Sequence, residues 1–172
     1  MRASTTETQH SPEIEFEHDD FILGSIEEEI RVDASCQALL EQFYQHLLKI
    51  GYNLELASDL AFCADYYLRD YLVDFARQNV VRPQPGIVRC FAATWYITRT
   101  LDPDFVVLER YLEGIRRFYR FLNNKHLVSK EELTFIEDEI GQTDYYRHRI
   151  ETFLTVSGDG YTDWLAECPL NV

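Results

Sequence analysis

Residues 86–101, GIVRCFAATWYITRTL, constrain this chain more than any other stretch. At ~100° per helical residue, Ile87, Val88, Phe91, Trp95 and Ile97, with Cys90 and Thr94 between them, cover well over half the circumference. A surface helix shows one apolar stripe, whereas a helix apolar on most sides is enclosed by others. Ala92 and Ala93 are small enough to let a neighbour approach closely. Burying Ile87, Val88, Phe91, Trp95, Ile97 and Leu101 contributes about 2 kcal/mol per side chain. Arg89, Tyr96 and Thr100 fall together on the remaining side, with Arg99 beside them. Arg89, Tyr96 and Arg99 are therefore the candidate lining of a polar pocket beside a buried central helix over about 86–101.

The rest of the chain reads as helices packed around that one. Leu39, Leu40, Phe43, Leu47 and Ile50 make the stripe of a helix from about Ala34 to Lys49, capped by Asp33 or Ser35 and stopped by Gly51. A second helix runs from about Leu54 to Gln78, with Asn53 as its cap and aspartates 59, 65, 70 and 74 on its outer side. Asp102 and Pro103 open a helix to about Asn123. Ser129 and Glu132 form a capping box ahead of a helix from Lys130 to about Ile140. A last helix covers about Asp144 to Leu154, and beyond it Trp164 can dock a short tail. Few Gly and Pro suit this reading. The expected fold is all-α: a single-domain bundle of five to six helices over 21–155, with mobile acidic termini at 1–20 and 156–172.

Charge is segregated along the chain. The net charge is −14. Residues 1–32 hold nine acids against Arg2 and Arg31, and residues 129–172 hold ten acids against Lys130, Arg147 and Arg149. Each end is thus −7 and the middle is neutral. On the helix from Pro103, Arg110, Arg116, Arg117 and Arg120 share the arc opposite the apolar side, with Glu109 and Glu113. This arc is the candidate interaction face. Arg110 to Ile136 locally resembles the helical core-binding domain of tyrosine recombinases, through Arg117, Phe118, Phe121, Leu122, Ser129, Glu132 and Leu133. The resemblance spans about a sixth of the chain. The family's catalytic Arg, His and Tyr set is missing and the acidity is opposite, so no function follows from it.

Several classes of chemistry find no support. The four cysteines stand at 36, 63, 90 and 168, none at metal-pair spacing, and read as reduced, buried thiols of a cytoplasmic protein. Glycine-rich phosphate loops, a Gly-x-Ser-x-Gly elbow and a His-Glu-x-x-His pair are absent from the sequence. No catalytic residue, metal or cofactor is expected. No apolar run approaches the ~18 residues of a membrane span. The leading expectation is a non-enzymatic protein-interaction or regulatory module whose partner is a protein, itself or another. The alternatives are a nucleic-acid-associated protein using the arginine arc, which the acidity disfavours, and a small-molecule or enzymatic pocket lined by Tyr, Trp and Arg.

Overall fold

The computed structural model describes residues 13–170. Among them are seven helices and no strand. A short 3-10 turn, His18–Phe21, precedes helix α1, Ile26–Lys49. Helix α2 is Leu54–Asp65 and runs on as a π-helical segment, Tyr66–Phe75. Helix α3 is built from Ile87–Cys90, a π-helical turn Phe91–Trp95, and Tyr96–Arg99. Then follow α4, Phe105–Asn124; α5, Lys130–Ile140; α6, Thr143–Thr155; and α7, Gly160–Glu167. The all-α class holds, but the helix count of five to six is corrected to seven. The extra helix is α7, in the segment read above as a tail.

The two π segments face each other and form the centre of the core. Residues 91–97 are buried without interruption. Tyr67, Tyr71 and Tyr66 pack on Phe91 and Trp95 at ring separations of 5.1, 5.2 and 5.4 Å. Such aromatic pairs add ~0.5–1.5 kcal/mol each beyond area burial. The wider π turn explains one correction: Tyr96, placed by α periodicity on the polar side, is buried, and its hydroxyl donates to the Asp104 carbonyl at 3.1 Å. Leu101 is a second correction. It stands fully exposed, because the helix ends at Arg99 and Thr100 is extended.

Local caps decide the ends. Helix α1 begins at Ile26, not Ala34, because Ser25 and Glu28 form a capping box: the Glu28 amide donates to Ser25 Oγ at 3.2 Å, and Ser25 N–H to Glu28 Oε2 at 2.8 Å. Glu27, Glu28 and Glu29 then sit in the first turn, where the helix dipole favours negative charge. Helix α4 is capped by Asp104 rather than Asp102. Helix α3 starts at Gly86, whose φ of +92° suits glycine. Its free N–H groups are capped from outside: the buried Glu139 of α5 accepts from Gly86 N–H and, at 2.9 Å, from Arg89 N–H.

At both ends the described residues pack on the bundle, at the C-terminal end through Trp164 as expected. The first twelve residues lie outside the described ones. From residue 13 the chain lies on the bundle: Lys125 pairs with Glu13, Gln42 donates to the Ile14 carbonyl, and Phe21 is fully buried. At the other end α7 is part of the core through Trp164 and Cys168.

Candidate functional site

The arginine arc of α4 is already occupied by carboxylates. Arg110 makes two bonds of 2.7 Å to Asp59 of α2. Glu113 takes both Arg116, at 2.7 Å, and Arg117, at 2.6 Å. Arg120 reaches Glu137 of α5. Two of the three partner carboxylates, Asp59 and Glu137, come from other helices, so α4 alone overstates the free positive charge. These pairs are partly exposed and each stabilises by only ~0–1 kcal/mol. Their effect is to neutralise the arc.

The three residues marked as a pocket do not line a common hollow. Tyr96 is buried against Asp104. Arg99 lies over Phe75 and Trp95, 5.3 and 5.8 Å from the ring centres. Arg89 alone lines a hollow, of about 580 Å³, where α3 and α6 meet the C-terminal segment. Its Nε donates to Gln142 Oε1 at 3.0 Å. Cys90, Tyr145 and Cys168 share the wall.

Bonded to Glu167 of that hollow's lining is Arg149, 0% exposed. Its guanidinium donates to the Ala93 carbonyl at 3.0 Å, the Trp164 carbonyl at 2.7 Å and Glu167 at 3.0 Å. It also stacks 3.7 Å from the Trp164 ring centre. Trp164 Nε1 returns a bond to the Arg149 carbonyl at 3.1 Å. A buried guanidinium is tolerable only when it is paired and hydrogen-bonded in this way. Arg149 thereby latches α7 to the π turn of α3. The clue in the sequence is the place of Arg149 within the apolar stripe of Tyr146, Ile150 and Phe153.

The outer face of α2 is different in kind. Phe62 is 60% exposed, on the same side as the aspartates. It separates two hollows. One, of about 560 Å³, is lined by Asn53, Glu55, Leu56, Ser58, Asp59 and Arg110. The other, of about 410 Å³, extends over α1 through Leu40, Tyr44 and Ala61, rimmed by Glu41, Asp65 and Arg69. Leu54 and Leu56 are exposed nearby. The signal in the sequence is a phenylalanine among aspartates on the polar side of an amphipathic helix.

Among the described residues no group of three or more His, Cys, Asp or Glu is placed to hold a metal ion. No helix among them is long and apolar enough to cross a membrane. Compared with protein-family models, with curated proteins and with solved structures, the chain matches none.

Proposed function

We propose that this chain is a non-enzymatic protein-interaction module that docks its partner on the outer face of α2, around Phe62. The observation that carries the reading is a large aromatic side chain, 60% exposed, seated between two hollows. Aromatic anchors set in water-excluding surroundings supply most of the energy of protein interfaces. The rim sets the partner's chemistry. Four carboxylates, Glu41, Glu55, Asp59 and Asp65, meet only two guanidiniums, Arg69 and Arg110. The partner is therefore an amphipathic segment whose apolar side chains are flanked by Lys or Arg. A second copy fits poorly, because each brings a net charge of −14.

The arginine arc supports nucleic-acid binding less well. A phosphate backbone would have to displace Asp59, Glu113 and Glu137 from their guanidiniums, against the repulsion of an acidic chain.

The test is a chemical-shift titration of the full chain with a helical peptide bearing a Leu/Trp stripe flanked by Lys. Shifts are expected at Tyr44, Ser58, Ala61 and Phe62, weakening as salt rises. The same stripe flanked by Glu should leave those resonances unmoved. Shifts confined to α4, or none near Phe62, would overturn the assignment. Concentration-dependent shifts without peptide would replace the partner with a second copy.

A further inference from the structure

The hollow lined by Arg89 and Glu167 holds chemistry that docking on α2 does not use. Two cysteines 78 positions apart in the chain line it, Cys90 from α3 and Cys168 just past α7. Cys90 Sγ lies 3.8 Å from the Pro169 carbonyl, the residue after Cys168. Thr94, one turn along from Cys90, holds the Cys168 carbonyl at 2.6 Å. Cys90 and Thr94 thus hold the backbone on either side of Cys168, and both thiols line the same hollow. Cys90 is half-buried and the hollow opens to solvent beside it, so a small oxidant can reach the pair.

We infer that Cys90 and Cys168 are an oxidisable dithiol, a modification site that a peroxide converts to a disulfide joining the C-terminal segment to α3. The surroundings assign the roles. Cys168 is the thiol that ionises first: its pKa is lowered chiefly by Cys90 beside it, against the opposing effect of burial, with the Arg149 charge and the Tyr145 hydroxyl assisting. The single proton of Thr94 goes to the Cys168 carbonyl, so Thr94 adds little to the thiolate. Cys90 is raised, by Cys168 beside it and by burial. The thiolate is the reactive form of cysteine. Cys36 and Cys63 are the internal contrast, pushed up to about 12 and about 11 by burial, and neither lines the hollow.

The chemistry balances with hydrogen peroxide as oxidant. The Cys168 thiolate attacks one peroxide oxygen, the O–O bond breaks, and hydroxide leaves. Cys168 is then a sulfenic acid. Cys90 sulfur attacks the Cys168 sulfur, the S–O bond breaks, and the departing hydroxide takes the Cys90 proton as water. Two thiols lose two electrons and two protons, and the peroxide becomes two waters. The product adds a covalent tie where Arg149 already latches α7. It is independent of whether a partner docks at Phe62.

The experiment uses the full chain, reduced, desalted and exposed to hydrogen peroxide at dilute protein concentration. Non-reducing digestion and mass spectrometry should find one intramolecular link, between the Cys90 and Cys168 peptides, which dithiothreitol reverses. Cys36 and Cys63 should remain free thiols. Cys90→Ser should stop at the sulfenic acid on Cys168, trapped with dimedone, and Cys168→Ser should leave Cys90 unoxidised. Free thiols at both positions after peroxide, or a disulfide through Cys36 or Cys63, would overturn the site. Dimedone on Cys90 in Cys168→Ser would overturn the assignment of the attacking thiol. Should either variant fail to fold, the link mapped in the unsubstituted chain decides the matter.

Discussion

Gly114→Ala is a substitution on which helix propensity and packing disagree in sign. Gly114 lies inside α4, where alanine favours the helix by ~1 kcal/mol. But α4 packs on α2 at this residue without spare room. A Cβ at position 114 would stand 2.5 Å from Cys63 Cβ, 3.0 Å from the Leu60 carbonyl oxygen and 3.3 Å from the Ala64 nitrogen. Carbon atoms pack best at ~3.5–4.0 Å, so the helices must separate by about 1 Å. Two of the three neighbours are backbone atoms and cannot rotate aside. Separation would loosen the core on this side, including the Tyr67–Tyr119 ring contact at 6.3 Å. Overpacking costs ~1–3 kcal/mol, and a 2.5 Å approach belongs in the upper part of that range, about 2–3 kcal/mol, so after the propensity gain of ~1 kcal/mol the net loss is about 1–2 kcal/mol. Urea unfolding followed by circular dichroism should show a lower midpoint at unchanged slope. Gly141→Ala is the control, since its Cβ would meet nothing closer than 3.4 Å. It should leave the midpoint unchanged or raise it. A Gly114→Ala midpoint at or above that of the unsubstituted chain would refute the close approach of α2 and α4.

Other substitutions probe the core and its latch. Arg149→Met keeps bulk but leaves the Ala93 and Trp164 carbonyls without their buried donor, at ~1–3 kcal/mol each; unfolding should shift by about 2–6 kcal/mol, and limited proteolysis should cut first within α7. Phe91→Asp sets a carboxylate among the rings of Tyr67, Tyr71 and Trp95 and costs several kcal/mol; calorimetry should find no cooperative transition, whereas in the unsubstituted chain the α3 amides should be among the slowest to exchange. His46 is held below its ordinary value of 6.5 by burial, with Lys49 and Lys125 adding repulsion. The unfolded chain therefore binds that proton more readily, so the contribution of His46 to stability is present above pH ~6.5 and declines as pH falls through it. An NMR titration of the His46 ring should give a midpoint below 6.5, and His46→Gln should flatten this part of the stability–pH profile.

Much of the helical layout was legible because it is local. The Ser129–Glu132 box and Gly141 delimit α5 within a few residues of one another, and the reading of that helix stands as the structure has it. The apolar run from Gly86 likewise pointed to a helix enclosed on most sides. What was not legible depends on departures from α periodicity or on groups brought in from afar. The π turn at Phe91–Trp95 rotates Tyr96 inward, and a count at ~100° per residue cannot foresee it. The first helix is expected only from about Ala34, although the acids Glu27–Glu29 suit a first turn once Ser25 supplies the cap. The arginine arc was read on one helix, whereas Asp59 and Glu137 come to it from two others. Arg149 was hidden by its charge, and Phe62 by lying among aspartates. In both cases the informative residue was the one that broke the pattern around it.

The docking role of α2 is tested most directly by the affinity of the Lys-flanked amphipathic peptide for the chain with and without Phe62→Ala, measured by calorimetry at low and moderate salt. Phe62 lies outside the core cluster, and the substitution leaves every rim charge in place. Phenylalanine offers roughly 200 Å² of side-chain surface, so covering the exposed 60% of it would contribute at most ~3 kcal/mol at ~25 cal/mol per Å². The account predicts an affinity loss approaching ~100-fold, equivalent to ~2.7 kcal/mol, with the salt dependence of the residual binding unchanged. Equal affinities for the two proteins would contradict it, because the peptide would then be held by the acidic surface alone.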